Sequence, residues 1–226
     1  MTPEELIAAG EAFQKPCLVL AEAESGAPVA SWGGERADIP NILPPHIKAY
    51  KAHRHILTIS EALLERLGEK NTGSMSLFEL TDHHDETRPI VERAGHEPFA
   101  SLSLSGTPLC VTSERMSFPP LPALCLYGPP AIGELLASFG LERHQYWKLP
   151  RELAEPYERH YARDVRQLEE GADVLVGGWH RLWPEDRYYT PLELKYVLLT
   201  LRDGEPSYTL WYSPQMRGAF ARDHVS

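Results

Sequence analysis

Trp179, His180, Arg181, Trp183, Asp186, Arg187 and Tyr189 crowd into eleven consecutive positions, behind the pair Gly177 and Gly178 and around Pro184. Large rings with polar tips, set among charges, are the residue types that recognise a ligand or a protein surface. If 179–183 run extended, alternation places Trp179, Arg181 and Trp183 on one face, an arginine between two indoles held by cation–π attraction. The two glycines let the chain bend there and the proline ends the strand. This set is the expected binding surface. Its alternative is a buried sheet-and-loop cluster, the commoner fate of tryptophan. The segment lies within a wider concentration, since twelve of the fifteen Trp and Tyr residues fall between Tyr146 and Tyr212.

Two other groups bear on chemistry. His53 and His55 stand two apart in a strand-like run, and Asp82, His83, His84, Asp85 and Glu86 follow at a distance, with His46 and His96 nearby in sequence. Imidazoles on one strand face with a carboxylate are a metal-binding pattern, and a solvated polar surface has the same composition. Glu193-Leu-Lys195, preceded by Asp173 and Asp186, resembles the Asp…Glu-x-Lys arrangement of restriction-endonuclease-like enzymes. That resemblance implies Mg²⁺ and an activated water, and it rests on three residues. The alternatives to a binding module are therefore a metal-dependent hydrolase, a Mg²⁺-dependent nuclease, and a non-catalytic protein with an aromatic pocket for a small ligand.

Other motifs fail on mechanism. Gly68 to Gly73 has the glycine spacing of a phosphate loop without the lysine that must follow it. Pro129 and Pro130 lack the N–H donors an anion site would need. Nothing fixes a reaction, so the expectation carries no catalytic residue, no metal ligand and no cofactor.

Composition bounds the class. With 42% hydrophobic and 24% charged residues, the 226-residue chain has the makeup of a globular protein with a sizeable core. It is expected to form a single globular domain over 1–226, with a subdomain hinge near 141–150. The formal charge of -10, with no basic run, disfavours nucleic acid and favours a basic protein partner. An acidic compact protein that masks a basic one resembles toxin-neutralising immunity proteins in charge and size alone. Cys17, Cys110 and Cys125 lie far apart among apolar neighbours, as buried thiols in strands would. The start Met-Thr-Pro-Glu-Glu is not a secretory signal, and no apolar run is long enough for a membrane span, so the expected location is the cytoplasm. Oligomeric state has no signature here.

The positioning elements follow from periodicity. Thr2, Pro3 and Glu5 predict a capped helix over 3–14, and 61–67, 130–139 and 156–170 also read as helices. Residues 16–22 and 29–32 read as a hairpin, 193–202 and 207–213 as another, with further strands over 55–59, 74–80, 99–104, 109–112, 123–127 and 173–179. No regular strand-helix alternation and no internal repeat occur. The expected fold is α+β, a mainly antiparallel sheet built from hairpins with three or four flanking helices.

Overall fold

The computed structural model describes residues 2–22, 26–34, 52–66, 73–81, 87–93, 105–179, 195–199, 207–213 and 218–224. The chain opens as its sequence predicts. Thr2 Oγ1 accepts the Glu5 N–H at 3.3 Å and Glu5 Oε2 accepts the Thr2 N–H at 2.8 Å, a reciprocal cap on helix α1 (Pro3–Glu11).

Ten strands form one sheet: β1 (Lys15–Glu22), β2 (Ala30–Trp32), β3 (Ala52–Ile59), β4 (Met75–Thr81), β5 (Thr87–Arg93), β6 (Thr107–Ser117), β7 (Val174–Gly177), β8 (Lys195–Leu199), β9 (Ser207–Ser213) and β10 (Gly218–His224). The order is β10-β9-β8-β7-β1-β6-β2-β3-β4-β5, with antiparallel neighbours throughout. Two four-strand meanders, β2 to β5 and β7 to β10, flank the central pair β1 and β6. β10 also comes up against β5, so the sheet curls until its two ends meet.

This order corrects the first predicted hairpin. β1 and β2 are not partners, because β6 lies between them and Leu109 pairs with both Glu22 and Ala30. An eleven-residue strand offers two long edges, and the three residues of β2 have little to hold any other neighbour. A strand covered on both faces reads as an unbroken apolar run. That is the Cys17-Leu18-Val19-Leu20 stretch of β1. Leu18 and Leu20 join Leu57, Ile59, Leu77, Leu109, Val174 and Val176 in a core that Leu63 and Leu64 of α2 (Glu61–Arg66) complete. On the opposite face Cys17, Val19 and Leu175 pack under Leu168 of a long helix, α5 (Arg151–Glu169).

A helical layer fills the connection from β6 to β7. It comprises α3 (Leu121–Tyr127), α4 (Pro130–Ser138), a 3-10 helix (Arg143–Lys148) and α5, against which α1 packs. Residues 123–127 are thus helical and not the predicted strand. Leu121, Leu124 and Cys125 bury one helical face behind the paired prolines that start the turn. Cys125 accordingly sits in a helix, whereas Cys17 and Cys110 sit in strands. α5 begins five residues before the proline expected to start it, and carries Pro156 inside. Glu152 stands in its first turn and Arg166 in its last, each favourable to the helix dipole. The described residues hold five α-helices and one 3-10 helix, more than the three or four expected. The stretch read as a hinge holds the 3-10 helix, whose Tyr146 is buried together with the Leu149 that follows it. The fold is mixed α+β, and no described helix is long and apolar enough to cross a membrane.

Candidate functional site

Of the predicted recognition set, Trp179 lies within the described residues. His180, Arg181, Trp183, Asp186, Arg187 and Tyr189 lie outside them. Trp179 is only 8% exposed and is fastened on every side. β6 and β7 both end beside the start of β1, since Cys17 pairs with Arg115 on one side and Gly177 on the other. At that junction the Ser117 hydroxyl accepts the Trp179 N–H at 3.0 Å and donates to the Trp179 carbonyl at 3.3 Å. The indole N–H donates to the Phe13 carbonyl at 2.9 Å, and the Phe13 ring lies 5.0 Å away. The cation over the indole is Lys15, 3.7 Å from the ring centroid. Gly178, at φ +70°, lets the chain in this close: a Cβ there would stand 2.7 Å from Ser117 Cβ and 3.0 Å from Cys17 Cβ.

The aromatic concentration seen in sequence is therefore dispersed among the described residues. Tyr146 and Tyr157 are packed into the helical layer, Trp179 is set between Phe13 and Lys15, and Trp147 faces solvent. Sequence proximity put these rings together, and three different neighbours took them apart.

Of the histidine group, His55 is buried on β3, while the side chain of His53 and residues His46, His83, His84 and His96 lie outside the described residues. A bulge between His55 and Leu57 turns the imidazole to the same face as Thr58. Nδ1 lies 2.9 Å from the Gly33 carbonyl, which can only accept, so Nδ1 carries the proton. In the neutral ring Nε2 then accepts from Thr58 Oγ1 at 2.8 Å, and Thr58 Oγ1 accepts from Ser76 Oγ at 2.7 Å. Both ring nitrogens are engaged, which leaves no lone pair for a metal in this arrangement. Among the described residues no group of three His, Cys, Asp or Glu is placed to hold one. Ser31 pairs across to Thr58 and Thr58 to Ser76, so three hydroxyls form one row over β2, β3 and β4, all buried. The Ser31 hydroxyl has no hydrogen-bond partner among the described residues. Sealing a serine or threonine beside a histidine denies it a substrate, so the row acts as a buried strut. Thr58→Val should remove the buried hydrogen bonds to His55 and Ser76 and cost about 1–3 kcal/mol in a urea melt. A loss under about 0.5 kcal/mol would show that the hydroxyls do not act together.

The Asp…Glu-x-Lys arrangement is separated by register where it can be followed. Val174 pairs with Leu199 and Val176 with Val197, so Asp173 lies at one end of the β7–β8 pair and Lys195 at the other. The offset is five residue steps along the strand, about 17 Å. Asp173 instead accepts the Glu22 N–H at 2.9 Å and closes the end of β1. Asp186 and Glu193 lie outside the described residues, as do Asp82, His83, His84, Asp85 and Glu86. The cysteines offer no nucleophile: burial pushes the Cys17 and Cys125 thiols up to about 12. A disulfide reagent at pH 8 should leave both unlabelled for hours in the native protein and label all three thiols at once in denaturant. Rapid native labelling of Cys17 or Cys125 would contradict their burial.

The helical layer exposes two large apolar side chains among the described residues, Trp147 at 50% and Phe139 at 46%, while the third, Met116 at 49%, lies on β6. Trp147 faces out of the 3-10 helix while its neighbours Tyr146 and Leu149 turn inward. Tyr146 turns into the core with its ring edge-on to the indole at 5.4 Å, and His144 lies 6.4 Å away on the surface. Arg143 braces the platform from beneath: Nη1 donates to the carbonyls of Cys125 at 2.9 Å and Gly128 at 3.1 Å, and Nη2 to Pro129 at 3.2 Å. Deeper in the layer Asp164 accepts the Phe118 N–H at 3.0 Å, and burial raises its carboxyl above the usual range. Sequence reading passed over Trp147. The signal available was the run from Arg143 to Arg151, which carries two rings and three cations with no acid.

No protein-family model matches the chain, and no curated protein or solved structure does so either.

Proposed function

We propose that the protein is a binding module that docks a protein partner on its helical layer, with Trp147 and Phe139 as anchors. The observation that carries this reading is the half-exposed Trp147 on a platform braced by Arg143. Half a tryptophan left in water forgoes on the order of 2–3 kcal/mol of burial, and tryptophan is the side chain most enriched where binding energy concentrates. A catalytic reading lacks comparable support, because His55, Thr58 and Ser76, the described histidine and hydroxyl groups that meet in space, are buried and hydrogen-bonded within the sheet. The segment beginning at Trp179 keeps a place in this proposal. Its first residue, Trp179, is held by the Ser117 hydroxyl of β6 and by the Phe13 carbonyl just past α1. The net charge of -10 favours a basic partner over the molecule as a whole, and the contact itself is set by local charges.

A photocrosslinking residue at position 147 or 139 should yield one discrete adduct in cells that make the protein. The same residue at Arg166, exposed on α5, should yield none. Adducts from 166 and none from 147 or 139 would sink the proposal.

A further inference from the structure

Between Glu142 and Glu152 every charged side chain is basic, in a chain where acids outnumber bases by 32 to 22. The structure separates these cations by use. Arg143 is spent on three carbonyls, and the exposed imidazole of His144 lies 3.2 Å from Glu142. Lys148 and Arg151 are exposed, one residue and four residues on from the exposed indole. The charges nearest Trp147 along the chain are thus opposite in sign to the net charge. At physiological salt exposed charges are screened beyond about 8 Å, so a contact at this ring is weighted toward the charges beside it, Lys148 and Arg151, over the net charge of the whole molecule.

We infer that the strip from Arg143 to Arg151 docks an acidic protein segment, with Trp147 taking an apolar side chain and Lys148 and Arg151 taking its carboxylates. This rests on the helical layer being the interface. A single-stranded nucleic acid would also meet a ring and cations here, but it needs a row of bases tracking its backbone, and the strip leaves two free for it. Repulsion from the rest of the acidic surface confines an acidic segment to this strip, which gives the contact its orientation.

The test uses the intact protein with three probes, poly-L-glutamate, poly-L-lysine and oligouridine, followed by the indole N–H resonance of Trp147 assigned with Trp147→Phe. Poly-L-glutamate should move that resonance. Its affinity should fall at least tenfold in the Lys148→Glu, Arg151→Glu double variant, whose unchanged melt certifies the fold. Movement by poly-L-lysine or oligouridine with none by poly-L-glutamate overturns the inference, as does an affinity indifferent to charge reversal. Silence with all three also overturns it. In that case an adduct from position 147 keeps the interface reading alive, and absence of an adduct removes both.

Discussion

Trp179→Ala is expected to lower stability by about 3–5 kcal/mol, enough to shift or abolish the cooperative melt. The indole is 8% exposed, so truncation leaves a hole between Phe13 and Lys15 that neighbouring strands cannot close. It also strips the Phe13 carbonyl of its donor. A surface ring would behave oppositely, with an unchanged melt and lost binding. Trp179→Phe separates the two contributions, since it keeps most of the volume and forfeits the hydrogen bond, at about 1–2 kcal/mol. A melt within about 0.5 kcal/mol of wild type for the alanine variant would return Trp179 to the recognition surface.

Tyr157→Ala carries the other large effect, again about 3–5 kcal/mol. Tyr157 is fully buried in the helical layer, its hydroxyl donates to the Pro119 carbonyl at 2.9 Å, and its ring lies 4.9 Å from Phe118. Burial also holds the phenol above its usual range, so the proton stays on the donor at any working pH. Tyr157→Phe should cost about 1 kcal/mol, the net value of one buried hydrogen bond. Loss of the large variant's platform has a functional consequence. α5 is the wall behind α3 and the 3-10 helix, so Tyr157→Ala should also reduce adducts from position 147, measured at a temperature where the variant remains folded. Equal crosslinking in both would show that the surface does not depend on the packing beneath it.

Local signals were legible in the sequence, and non-local ones were not. Thr2, Pro3 and Glu5 announce their helix because every group in that cap lies within three residues. The long apolar run of β1 announces a strand, but not its neighbours. Those are Ser117 and Gly177, residues whose own surroundings say nothing of Lys15 or Cys17. Leu121 to Tyr127 fits either period over so short a span, and the helix is decided by the layer it joins. Trp179 and Trp147 look alike in sequence as rings near charges. Their fates diverge because Phe13, far away in the chain, covers one, and nothing among the described residues is stacked over the outer face of the other. His55 suggested a metal from spacing. Two acceptor and donor contacts, one from a distant glycine carbonyl, gave it a structural task instead.

The order of strands carries a consequence for synthesis. Lys15 waits for Ser117 and Cys17 for Gly177, so the first strand leaves the ribosome with neither partner made. At about 5–20 residues per second the second of these arrives roughly 8–30 s later. Until then an apolar strand with two open edges must be kept from other nascent chains, a recognised hazard of topologies with distant pairings. A chain stopped before Val174 would carry that exposed edge permanently, and should therefore depend on chaperones or aggregate, whereas a chain that includes β7 closes it from within.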